Sequence, residues 1–167
     1  MTQEEFIKVL DKKRYSYEIE GDKIVVTHKG KLNLDSLTSI PPGVEFINGD
    51  SVNLNGLTSL PSGFQFNNEG DVWLDSLTSL PPGVVFKNKG DINMQALSSI
   101  LPDVEFRNEG FIHLNNIYSL PIGLEFKNSG FVFLASITGD GFPEFYMEGI
   151  HPNRILNAMI KRGLFVR

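Results

Sequence analysis

The sequence predicts a mainly β protein, a single-domain repeat solenoid with a parallel β-sheet. An N-terminal cap of helix and hairpin and a C-terminal helical cap close its two ends. Three observations carry this reading. The chain is self-similar at a fixed offset of twenty: LDSLTSIPPGVEF from Leu34, LNGLTSLPSGFQF from Leu54 and LDSLTSLPPGVVF from Leu74 align without insertion, and MQALSSILPDVEF from Met94 and LNNIYSLPIGLEF from Leu114 continue the series. Apolar residues alternate within each repeat, as in Leu32/Leu34, Val52/Leu54 and Val72/Leu74, the mark of a short strand with one face buried. Each repeat carries about six inward apolar positions, too many for one coil to bury alone, so coils must stack and share a core.

Residues 1–31 form the expected N-terminal cap. Thr2 and Glu5 have capping-box spacing, and Phe6, Val9 and Leu10 share one helical face. A hairpin follows, and Lys23-Ile24-Val25-Val26 falls in the register of Gly43-Val44-Glu45-Phe46, starting the array.

Residues 32–140 form the solenoid, about six coils in one continuous sheet. The inward columns are Leu37 to Ile137, Ile40 to Leu120, and the pairs Val44/Phe46, Phe64/Phe66, Val84/Phe86, Val104/Phe106 and Leu124/Phe126, which read as a second extended segment. Asn48, Asn68, Asn88, Asn108 and Asn128 share a register suited to bonding backbone at a corner. Gly70, Gly90, Gly110 and Gly130 follow two residues later, where positive φ is expected. The serine column from Ser39 to Ser119 reads as corner chemistry of the same kind. Pro41, Pro61, Pro81 and Pro121 sit where the chain leaves a strand.

Residues 141–167 form the expected C-terminal cap. Pro152 suits a first helical turn, and Ile155, Leu156, Met159 and Ile160 make an apolar stripe flanked by Arg154, Lys161 and Arg162. The competing reading is a basic amphipathic helix on a membrane surface. Open strand edges at a solenoid's end need a cap, which favours the first.

LTSLPxG at this period resembles the bacterial LPX subclass of leucine-rich repeats, and the chain is similar to short leucine-rich-repeat-like proteins encoded by tailed phages. That resemblance, over roughly residues 1–140, implies a non-enzymatic binding scaffold, phage-encoded and cytoplasmic in an infected bacterial host, that binds or inhibits a host protein. The asparagine column departs from the usual repeat, which places its Asn between the leucines. The cross-section is therefore expected nearer a compact β-solenoid than an open horseshoe.

Composition narrows the chemistry. With no cysteine, thiolate nucleophiles and Cys-ligated zinc are excluded, and the three histidines are scattered. No GxSxG, phosphate loop or GxGxxG occurs, so the chain is not expected to be an enzyme or to need a cofactor. No apolar run reaches the ~20 residues of a membrane span, and the acidic start of the chain is unlike a signal peptide. Residues 1–31 carry net +1, residues 32–148 net −10 and residues 149–167 net +4. The acidic middle repels a phosphate backbone, so nucleic acid is not an expected partner. Asp71, Asp91 and nearby Asp75 admit a hard-cation site, but such carboxylates on a strand surface read first as solvated charge.

The informative feature is a break in symmetry. Outward positions between the buried pair run Asn33, Asn53, Trp73, Asn93, His113, Phe133; those before the strand run Lys31, Ser51, Asp71, Asp91, Phe111, Phe131. The early coils are polar and the last two aromatic. Trp73, Asp91, Phe111, His113, Phe131 and Phe133 are the expected partner-binding residues, unless residues 141–167 cover them. The alternatives to a host-protein ligand are self-association as a homo-oligomer or virion component, and an acidic DNA mimic that occupies a nucleic-acid-binding enzyme.

Overall fold

A computed structural model describes residues 1–121 and 124–134. The expected C-terminal cap (141–167) and the solenoid's last residues (135–140) lie outside the described residues.

The N-terminal cap forms as its sequence pattern requires. Helix α1 (Gln3–Lys13) starts at a complete capping box. The Glu5 N–H donates to the Thr2 hydroxyl at 3.2 Å, and the Thr2 N–H donates to the Glu5 carboxylate at 2.8 Å. Phe6 and Leu10, one turn apart, are fully buried, with Val9 and Ile7 partly so. They close the first coil as a lid. The Gln3 side-chain amide donates to the carbonyls of Asp22 and Pro42, which ties the helix to the hairpin and to the first coil.

Strands β1 (Tyr17–Glu20) and β2 (Lys23–Val26) pair antiparallel around Gly21, whose φ of 59° suits the first residue of a two-residue hairpin turn. Strand β2 then pairs parallel with Val44–Phe46, Ile24 beside Val44 and Val26 beside Phe46. The hairpin thus converts to a parallel stack in the register its sequence shows.

About five turns follow, a compact β-solenoid. The expectation of one continuous sheet is corrected: the described residues form three. Leu32–Asn33, Val52–Asn53, Val72–Trp73, Ile92–Asn93, Ile112–His113 and Val132–Phe133 form a six-stranded parallel sheet. Strands β1 and β2, Val44–Phe46, Gln65–Phe66, Val85–Phe86, Glu105–Phe106 and Glu125–Phe126 form a seven-stranded sheet. Ser79–Leu80 pairs with Ser99–Ile100 in a third, two-stranded sheet. Each coil is extended in separate places, and the proline-bearing turn swings the later segment onto its own ladder. Every parallel pair between coils is offset by twenty residues, so like stacks on like.

Both large sheets feed one core. In the first coil Leu32, Leu34, Leu37, Ile40, Val44 and Phe46 are all buried, and the equivalents repeat up the stack. Phe46, Phe66, Phe86, Phe106 and Phe126 form a spine of near-parallel rings, with successive centroids 5.9, 5.0, 5.3 and 5.1 Å apart. Fully burying a side chain of this size stabilises by about 1.5–3 kcal/mol.

The reason for the glycine column is also corrected. Positive φ falls on Gly43, Gly63 and Gly83 at the turn, with Asp103 taking the same conformation (φ 64°) in the fourth coil. Gly70, Gly90, Gly110 and Gly130 are needed for closeness. A Cβ on Gly110 would lie 2.5 Å from the Gly90 carbonyl oxygen, and one on Gly130 would lie 2.2 Å from that of Gly110. The asparagine column is buried at the adjoining corner. Asn108 reaches back to the Gly90 carbonyl at 2.9 Å, and Asn48 and Asn128 bond the carbonyls of Asp50 and Gly130 in their own coils. The serine column is not corner chemistry throughout: Ser79 and Ser99 lie in the two-stranded sheet, and Ser59, Ser99 and Ser119 are exposed.

Candidate functional site

The outward surface of the six-stranded sheet is built from three columns, and hydrogen bonds between coils organise two of them. In the first, the Asp71 N–H donates to the Ser51 hydroxyl at 3.2 Å. The Asp91 N–H donates to the Asp71 carboxylate at 2.8 Å, and the Phe111 N–H to the Asp91 carboxylate at 2.8 Å. A parallel ladder runs from the Asn55 side-chain oxygen to the Asp75 N–H at 3.0 Å, and from the Asp75 carboxylate to the Gln95 N–H at 3.4 Å. One oxygen of each of these aspartates therefore fastens one coil to the next. Among the described residues no group of three or more His, Cys, Asp or Glu is arranged to hold a metal ion.

The first ladder stops at Phe111, whose side chain has no acceptor to offer Phe131. From that coil onward the face is aromatic. The Phe111 ring packs against Phe131 (5.9 Å, tilted) and edge-on against Phe133 (5.8 Å, 85°). His113 stacks flat on Phe133 at 4.8 Å with 4° between planes. Phe111, Phe131 and Phe133 are 40%, 42% and 42% exposed, far from the 0–1% of the buried phenylalanine spine. Such geometry is what ~4.8 Å coil spacing produces when rings occupy neighbouring rungs.

The structure thus brings four of the six expected site residues together: Phe111, His113, Phe131 and Phe133. Trp73 lies on the same face, but Asn93 stands between it and His113 in the ladder, so it stands apart from the cluster and is partly buried. Asp91 adjoins the cluster and supports it from below by capping the Phe111 backbone. The sequence reading of Ser51 as outward is corrected. Its side chain is buried under the next coil, where the Asp71 N–H needs an acceptor.

The charges separate by sheet. Ion pairs gather on the seven-stranded side: Lys89 with Glu69, Arg107 with Glu105 at 2.7 Å, Lys127 with Glu105 at 3.0 Å and Lys23 with Glu45 at 4.0 Å. The Arg107 guanidinium, with Lys127 beside it, holds the Glu105 carboxyl below the usual carboxylate range, and the Glu69 carboxylate raises Lys89. On the six-stranded side Asp35, Asp71, Asp75 and Asp91 are joined by one base, Lys31 in the first coil. Periodicity alone could have revealed this separation, since the four bases of the acidic middle all fall outside the three outward columns.

No protein-family model, curated protein or solved structure matches the chain. Among the described residues no helix is long and apolar enough to cross a membrane.

Proposed function

We propose that the protein is a non-enzymatic protein-binding scaffold, phage-encoded, that binds and inhibits a host protein in the bacterial cytoplasm. Its main contact is the cluster of Phe111, His113, Phe131 and Phe133, with Trp73 as a second anchor. The observation that carries this reading is the exposure of three phenylalanines in ring contact, at positions where the earlier coils place Lys31, Ser51, Asn33 and Asn53. The solenoid does not need rings there, because the preceding coils stack with polar residues. Grouped exposed aromatics mark partner sites, where a few such anchors carry most of the binding energy.

The test is an affinity capture from bacterial host lysate with the wild-type chain and the double variant Phe131→Ser, Phe133→Asn. A partner retained by the wild type and lost by the variant supports the proposal; equal capture by both refutes it. Self-association through the same rings is the rival reading. It is separated by light scattering at two protein concentrations, which would show a molar mass above 18.7 kDa that falls on dilution and in the variant.

A further inference from the structure

We infer that the partner segment which fits this face is basic and amphipathic: an apolar end seated on the phenylalanine cluster and a lysine- or arginine-bearing end over Trp73 and the aspartates. The inference rests on the binding reading above and adds the chemistry of the occupant.

Charge complementarity carries it. Between Asp35 and Asp91 the outward columns of the six-stranded sheet hold four carboxylates and no base. The cations of the same coils lie on the seven-stranded side, with Lys89 and Arg107 held there by Glu69 and Glu105. The carboxylates of Asp71, Asp75 and Asp91 each give one oxygen to the ladder and have no cationic partner among the described residues. Trp73 lies in the same rung as Asp71 and Asp75, partly exposed. A cation placed over an indole face is attracted by its ring, and neighbouring carboxylates add to that field. The aromatic end begins one rung beyond Asp91, so the acidic and apolar halves are contiguous. A partner that is apolar throughout would leave the aspartates desolvated and unpaired. An acidic partner would be repelled.

The sole tryptophan sits in the middle of the face, which makes its emission the readout. The folded protein is titrated with a short synthetic peptide of lysine and leucine, and with its glutamate–leucine counterpart. The lysine peptide is expected to shift Trp73 emission and to lose affinity steeply with added salt, as exposed charge pairs do; the glutamate peptide is expected not to bind. Asp71→Asn with Asp91→Asn should weaken binding by about two- to fivefold per carboxylate. Both keep an acceptor for the ladder, as Asn55 already does for Asp75. Glu69→Gln with Glu109→Gln, an equal loss of charge elsewhere, should leave binding almost unchanged. Equal binding of the two peptides, or equal weakening by the two acid pairs, overturns the inference. Loss only with Phe131→Ser, Phe133→Asn overturns it too but keeps the aromatic contact. Loss only with the aspartate changes overturns the aromatic contact itself.

Discussion

Replacing Phe131 by Ser and Phe133 by Asn gives the last described rung the polarity of the first two. The structure sets the cost. The double change removes three ring contacts, Phe111–Phe131, Phe111–Phe133 and His113–Phe133. Cross-strand aromatic pairs contribute roughly 0.2–1 kcal/mol each, so the loss of three should be about 0.6–3 kcal/mol. Phe106→Ala is the internal standard: its ring is fully buried between Phe86 and Phe126, and such a truncation costs about 3–5 kcal/mol. At roughly 2–4 °C per kcal/mol for a chain of this size, the double variant should melt about 1–12 °C lower, and Phe106→Ala about 6–20 °C lower. Thermal unfolding followed by circular dichroism, with urea denaturation for the free energies, measures both. If the double variant loses as much as Phe106→Ala, the rings are core, and the patch is no surface for a partner.

Other expectations rest on the same stacking. Gly110→Ala should cost several kcal/mol, since its Cβ would press to 2.5 Å on backbone, whereas Gly63→Ala meets nothing within 4 Å and should cost only the ~1–2 kcal/mol of its left-handed φ; urea midpoints of the two variants rank them. Glu5 and Glu105 have carboxyls held low, Glu5 by the Thr2 N–H and Glu105 by Arg107. Their contribution is present above the ordinary carboxylate range and lost as pH falls through the depressed values, so Glu5→Gln and Glu105→Gln variants should show a smaller drop in melting temperature between neutral and acid pH than the wild type. Deleting residues 71–90 joins Gly70 to Asp91 in register, and the shortened chain should still fold, with the same spectrum per residue and a lower midpoint; a helical or unfolded spectrum would count against interchangeable coils.

The fold was legible because its signal is repetition. Inward columns such as Leu34–Leu54–Leu74 and the Phe46–Phe126 spine can be counted off the chain, and the Thr2/Glu5 pair announces α1. What repetition does not encode is how closely coils approach. Glycine serves two purposes here, and the letters alone do not say that Gly63 answers to φ while Gly110 answers to a carbonyl from the coil before. The ladder through Ser51, Asp71 and Asp91 was hidden for the same reason, since its donor and acceptor stand twenty residues apart and meet only once stacked. The site was partly legible. Alternation placed Phe111, His113, Phe131 and Phe133 on one face, but the gap that Asn93 leaves before Trp73 needed the register.

The constant offset between paired strands has a consequence for how the chain folds. Almost every contact between coils closes a loop of about twenty residues, which is ~0.12 of the chain length, a value typical of domains that fold in milliseconds or faster rather than of β-sandwiches. A parallel β structure is ordinarily slow because distant strands must find one another. Here α1 and the hairpin present a finished edge at Lys23–Val26, and each new coil has only to lie down on the one before it. The molecule can therefore zip from its N-terminus as it is synthesised, and the rung carrying Phe131 and Phe133 joins only after the coils beneath it are in place.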